Sequence, residues 1–227
     1  MYDPRYDNLA DVLVNHSTRV ARGESVLIES TDVPDALVIA IVRAVRQAGG
    51  IPLVSLKSSR IQRELIRQAD RETMQRIGEY EAHRMKHVQV HIGIHGDRNM
   101  AEMSDVSSEK MRLYRTYWMT PVHFKIRMPH TRWICLRWPS PAMAQQANMS
   151  TEAFEDFYFK VSTLDYGKMK AAAAPLKKLM ETTDKVHITG PDTDLVFSIN
   201  EVGSVSCTGE RNLPDGECYT APLRESV

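Results

Sequence analysis

The stretch SVLIESTDVPDALVIAIVRAVRQAGGIPLVSL, residues 25–56, decides the fold. Ser25-Val26-Leu27-Ile28-Glu29 is a short apolar run of the kind a buried strand shows. Thr31 or Asp32 then stands where a helix cap is expected, with Pro34 in the first turn. Leu37, Ile41, Ala44, Val45 and Ala48 recur at helical spacing, and Gly49-Gly50 marks the carboxy-terminal end. Ile51 to Leu56 reads as a second strand. Strand, helix and strand within about thirty residues make one βαβ unit, which is normally right-handed and parallel.

The same alternation extends in both directions. Leu9, Val12, Leu13, His16 and Val20 fall at helical spacing, and Arg22-Gly23-Glu24 breaks that helix. Residues 59–84 read as one or two helices with Ile61, Leu65, Ile66, Met74 and Ile77 turned inward. Val88 to Ile94 is a third strand, Ser107 to Trp118 a helix, and Arg132 to Arg137 a fourth strand closed by Pro139-Ser140-Pro141. Helices follow over Thr151 to Leu164 and Tyr166 to Thr182. This order predicts an α/β fold: an open, doubly wound, mostly parallel sheet with flanking helices.

From Asp184 the texture changes. Lys185 to Thr189, the turn Gly190-Pro191-Asp192-Thr193, and Asp194 to Ile199 read as strand, turn, strand. A boundary is therefore expected near residue 183. Residues 1–183 form an amino-terminal α/β domain, and residues 184–227 the first strands of a second, β-rich domain.

Composition argues against several functions. Lys+Arg and Asp+Glu balance at 29 each, so the global charge speaks against a nucleic-acid partner while leaving room for a local basic patch. The longest apolar run in the core, Ala36 to Val42, is far short of a membrane span. Met1-Tyr2-Asp3-Pro4-Arg5-Tyr6-Asp7 lacks the apolar centre of a signal peptide. Cys135, Cys207 and Cys218 contain no CxxC pair, so neither a disulfide framework nor a zinc ribbon is indicated. A cytoplasmic location follows as the expectation.

The usual catalytic signatures are missing too. After the first strand comes Glu29-Ser30-Thr31-Asp32-Val33-Pro34, without the glycines that bring backbone amides to a pyrophosphate. The sequence contains no GxxxxGK[ST], HExxH or GxSxG. His83, His87, His91 and His95 recur every fourth residue, but Val88 to Ile94 alternates like a strand. Four residues along a strand span ~13 Å, whereas nitrogens sharing a zinc ion lie within about 4 Å of one another. These histidines are expected to be polar positions on one strand face and at a loop tip, with His95-Gly96-Asp97 at a strand's carboxyl end, where α/β proteins hold ligands.

Asn212-Leu213-Pro214-Asp215-Gly216-Glu217-Cys218-Tyr219-Thr220-Ala221-Pro222 is a different kind of feature. It sets Glu217 just after a Pro/Gly turn and before a stretch able to extend, a way to present one metal ligand. Taken alone, Glu217 reads as a surface turn residue rather than a ligand. Cys218 beside it has no histidine nearby in sequence and reads as a small buried residue.

Several segments, in order along the whole chain, together resemble the thermophilic metallo-aminopeptidases of the aminopeptidase T and S type, often described as leucyl aminopeptidases. They are Asn8-Leu9-Ala10 with Gly23-Glu24, Arg43 to Gly50, Trp138 to Gln145, and Met149-Ser150 with Phe154-Glu155-Asp156-Phe157. Asp192-Thr193-Asp194-Leu195 follows, then Asn212 to Pro222, ending in Glu225-Ser226-Val227. The resemblance implies an amino-terminal α/β domain followed by a catalytic domain that binds two divalent metals, zinc or cobalt. It also implies a homodimer that cleaves amino-terminal residues from peptide substrates. Glu217 is the position matching a metal-ligating glutamate of that family. The family's other ligands, a second glutamate, histidines and an aspartate, lie further towards the carboxy terminus than Val227.

The expectation is therefore a metallo-aminopeptidase whose amino-terminal half is present, inactive on its own. The alternative is a non-enzymatic binding or assembly module derived from that half, which a natural stop codon after Val227 would favour. Apolar strand surface left uncovered in residues 200–227 is expected to cause oligomerisation or disorder there.

Overall fold

The computed structural model describes residues 3–226; Met1, Tyr2 and Val227, which the sequence reading also quotes, lie outside the described residues. The chain divides into two compact units. One comprises the residues up to Thr163 together with Glu210–Pro214, and the other Leu164–Gly209 with the residues from Asp215 onward. The boundary expected near residue 183 falls within the second unit, between its helix and its first hairpin.

The first unit is built on a five-stranded sheet of β1 (Ser25–Thr31), β2 (Ile51–Lys57), β3 (Val90–His95), β4 (Arg132–Arg137) and β8 (Asn212–Leu213). Their order is β2-β1-β3-β4-β8, and every pairing is parallel. This is the expected α/β architecture. β1, buried along almost its whole length, is the central run of the opening motif. The helix between β1 and β2 is α2 (Asp35–Gln47), and Gly49 at φ +81° turns the chain out of it.

Thr31 and Asp32 do not cap α2. Thr31 continues β1, and the position before α2 is Pro34, which has no capping side chain. Asp32, at φ +52°, instead accepts hydrogen bonds from the backbone N–H of Ser59, at 3.0 Å, and from its hydroxyl. It thus caps α3 (Ser59–Gln68), the helix that follows β2. A short polar residue after a strand has two helix ends within reach, and local sequence does not choose between them.

Helices cover both faces of the sheet. α3, α4 (Arg71–Lys86) and a long helix starting as α5 (Ser108–Tyr114) enclose a core of Leu27, Ile66, Met74, Met85, Trp118 and Val122. The right-handed crossover through α2 sets that helix and α1 (Arg5–Asp11) on the opposite face. The long helix does not stop at Trp118. It widens to i→i+5 hydrogen bonding over Arg115–Arg127, carries Pro121 inside, and ends in α6 (Met128–His130). Of the residues expected inward on α3 and α4, Ile66 and Met74 are buried, whereas Ile61 is 65% and Leu65 45% exposed. β2 is an edge strand, and Leu56 on it is 64% exposed. After β4 come α7 (Pro141–Gln146) and α8 (Thr151–Ser162), both started by serine side-chain caps.

The second unit holds α9 (Tyr166–Thr182), the antiparallel hairpin β5 (Lys185–Gly190) with β6 (Thr193–Ser198), and the antiparallel pair β7 (Val205–Cys207) with β9 (Glu217–Tyr219). Ile188, Val196, Val205, Leu179 and Tyr219 stand exposed on it. No helix among the described residues is long and apolar enough to cross a membrane.

Candidate functional site

The segment singled out by sequence is divided between the two units. Asn212 and Leu213 are β8, in register with Cys135 and Leu136 at the edge of the parallel sheet. Glu217 opens β9 in the second unit, opposite Cys207. Between them the Leu213–Pro214 bond is cis, and Gly216 has φ +147°, a conformation that favours glycine.

Asp215 builds this turn: its Oδ2 accepts from the Gly209 N–H at 2.9 Å, and its own N–H donates to the Tyr166 hydroxyl at 3.3 Å. The Glu217 side chain is exposed. Cys218 is half-buried, with Sγ 3.7 Å from the carbonyl oxygen of Ala173 on α9. Among the described residues, no three His, Cys, Asp or Glu side chains converge on a point where they would hold a metal ion. The residues present therefore do not fit a complete metal centre, which needs at least three protein ligands.

The four spaced histidines fall into two pairs on different elements. His83 lies on α4 and His87 at its carboxy-terminal cap, with ring centres 4.5 Å apart and His87 Nδ1 2.7 Å from the His83 carbonyl oxygen. His91 and His95 are on β3, and His95, at its end, is exposed. Beside it Asp97 pairs with Arg137, and these residues border a shallow hollow of about 420 Å³ with Asn212.

His91 is the correction. It was expected as a polar position on a strand face, yet it is only 2% exposed. Its face of the sheet is roofed by α4 and the long helix, and its polarity is met by an acid on the neighbouring strand. His91 Nε2 lies 3.1 Å from Glu29 Oε2 on β1, and the other carboxylate oxygen of Glu29 pairs with Lys57 at the end of β2. Lys57 Nζ is also 3.6 Å from Glu81 on α4.

Burial alone would raise the Glu29 carboxyl, but the hydrogen bond from His91 and the Lys57 charge hold it well below the usual carboxylate range. Burial pushes His91 down, so the pair consists of an ionised Glu29 and a neutral His91. His123, on the long helix with its ring centre 6.2 Å from that of His91, is pushed down by burial to about 4. Burial pushes the Cys135 thiol up.

Sequence reasoning missed this group. The available signal was Glu29 closing an apolar strand run and His91 alternating within another. An ionisable side chain on a strand buried on both faces has to be paired.

The family model for thermophilic metalloprotease matches residues 2–227. Wild-type AmpT from Thermus thermophilus has the same fold, with a TM-score of 0.71 at 17% identity, over 98% of this chain and 62% of that chain. This chain thus spans less than two thirds of the length of that protein. A 2,5-dihydroxypyridine dioxygenase from Pseudomonas putida aligns with a TM-score of 0.49 at 10% identity, over 96% of this chain and 55% of that one. No curated protein matches the sequence.

Proposed function

The chain belongs to the thermophilic metalloprotease family, and from that premise we propose that it is the amino-terminal part of a metal-dependent aminopeptidase that removes amino-terminal residues from peptides. The single observation carrying this reading is the family match along residues 2–227. The fold shared with wild-type AmpT is consistent with it. On this reading residues 184–227 begin the catalytic domain. Glu217 is one ligand of a centre for two divalent ions, zinc or cobalt. Its exposed position at the start of a strand supports that role. The remaining donors come from outside the residues described here.

The chain by itself is accordingly expected not to release leucine from a leucyl amide, and to bind cobalt only weakly. Glu217→Gln should weaken that binding further, read from the visible absorption of the bound cobalt. Metal-dependent leucine release that survives repurification would overturn the incomplete-centre reading. Unchanged cobalt absorption in Glu217→Gln would remove Glu217 from the ligand set.

The partners of this reading are peptide substrates and a second copy of the chain. Support for a homodimer comes from β2, an edge strand with Ile51, Leu53, Val54 and Leu56 exposed. Uncovered strand edges of this kind recruit another chain. Light scattering should find a dimer, and Leu56→Lys should shift it towards monomer; a monomeric parent chain sinks the dimer. Cys135, Cys207 and Cys218 form no disulfide among the described residues, which supports a reducing, cytoplasmic location.

A further inference from the structure

Gly93 sits in the middle of the buried strand β3, in register with Glu29 on β1 and Cys135 on β4. A Cβ added there would lie 2.9 Å from His91 Cε1, 3.2 Å from Cys135 Sγ and 3.6 Å from His91 Nδ1. The bare glycine makes room for the His91 ring, and His91 with Glu29, Lys57, His123, Arg127 and Cys135 walls a cavity of about 220 Å³. All of these residues belong to the first unit. The sheet order reverses between β1 and β3, because the chain runs from β1 outward to β2 and then returns to β3 on the other side. In open α/β sheets ligands gather near the carboxyl ends of the two strands flanking that reversal.

Two buried polar atoms of residues that line this cavity have no hydrogen-bond partner in the protein, His91 Nδ1 and Arg127 Nε. Their chemistry differs. With Glu29 ionised, the His91 proton is on Nε2, which donates to Glu29, and Nδ1 is left as a bare acceptor. Arg127 is a cationic donor. Its Nη1 donates to Cys135 Sγ at 3.3 Å, and its guanidinium lies 4.3 Å from the centre of the Trp133 ring. Among the described residues no carboxylate pairs with Arg127, whereas Lys57 is matched by Glu29 and Glu81. The ionised groups lining the cavity therefore leave one positive charge unmatched.

We infer that this cavity binds a small α-hydroxycarboxylate, its carboxylate on Arg127 and its hydroxyl donating to His91 Nδ1. The volume, below the ~300–1,000 Å³ of ordinary ligand pockets, limits the ligand to a compact molecule. An α-amino acid of the same size fits less well, since its ammonium adds a cation beside Lys57 and Arg127. This site is independent of Glu217 and of any peptidase activity.

Lactate is the probe, added to the whole chain and followed by calorimetry and by NMR of the Gly93 amide and the His91 ring. Saturable one-to-one binding at millimolar concentration is expected, with shifts at both residues. Propionate, lacking the hydroxyl, and neutral lactamide should each bind roughly tenfold more weakly or not at all. Arg127→Gln should weaken lactate by at least about tenfold, and Gly93→Ala, whose Cβ would crowd the His91 ring, should weaken it as well.

The absence of saturable shifts at Gly93 and His91 in the parent chain overturns the proposal, whether or not the variants fold. Equal binding of lactate and propionate would remove the role of His91. Alanine binding as tightly as lactate would refute the charge argument, and lactate binding that survives Arg127→Gln would place it elsewhere.

Discussion

Gly78→Ala is expected to lower the melting temperature by roughly 6–12 °C, the shift that about 3 kcal/mol produces in a chain of this size. Gly78 is buried in the middle of α4, where α4 crosses the long helix. A Cβ there would run into the carbonyl oxygen of Tyr117, and would lie 2.9 Å from the Tyr117 carbonyl carbon and 3.2 Å from Trp118 Cα. These are backbone atoms of a helix. They have no rotamer to adopt, so the two helices must move apart over the core around Met74 and Trp118.

Alanine gains about 1 kcal/mol of helix propensity over glycine, and the clash outweighs it. Gln75→Ala, one turn earlier on the exposed face, is the control and should change stability by no more than about 0.5 kcal/mol. Thermal unfolding followed by circular dichroism decides the matter. A melting temperature for Gly78→Ala equal to or above the parent would mean that the helices part without cost.

The second large effect is at Glu29. Glu29→Ala is expected to cost about 3–5 kcal/mol, the usual penalty for removing one partner of a buried ionic group. It strips Lys57 of its nearer carboxylate, and it leaves His91 with neither ring nitrogen bonded in the protein. Glu29→Gln keeps the shape and an acceptor for His91, so it should cost less than Glu29→Ala at pH 7.

The acid limb separates charge from shape. The folded carboxyl of Glu29 is held below its ordinary value of 4.5. The unfolded chain therefore takes up this proton first as pH falls. The stabilisation is complete above pH 4.5 and is lost on acidification below it. Urea midpoints at pH 7 and pH 3.5 should converge between the parent and Glu29→Gln. A constant difference between them across that range would show that Glu29 acts without its charge.

Legibility in sequence followed the range of the forces involved. The opening βαβ motif, the fourth strand and α9 were readable because hydrophobic period and Gly/Pro punctuation act within a few residues. Ile61 and Leu65 read as inward because helical spacing gives a face but not its neighbour, and both stand exposed on α3. Asp32 caps α3 and not α2, since capping depends on where β2 returns the chain. His91 and Glu29 stand 62 residues apart and meet only through parallel register. Neither one alone announces a cavity; the hollow beside them appears only when three strands are side by side.

The pairing of β4 with β8 has a consequence for synthesis. Cys135 and Leu136 wait for Asn212 and Leu213, a separation of 77 residues between the first pair, 212 minus 135. A ribosome adding about 5–20 residues per second leaves that edge bare for roughly 4–15 s after β4 has emerged. During that interval the nascent sheet has four strands and two open edges, β2 and β4. Leu213 buries itself only at the end, so one dipeptide, made long after the rest of the sheet, determines how long the growing chain is exposed to its neighbours.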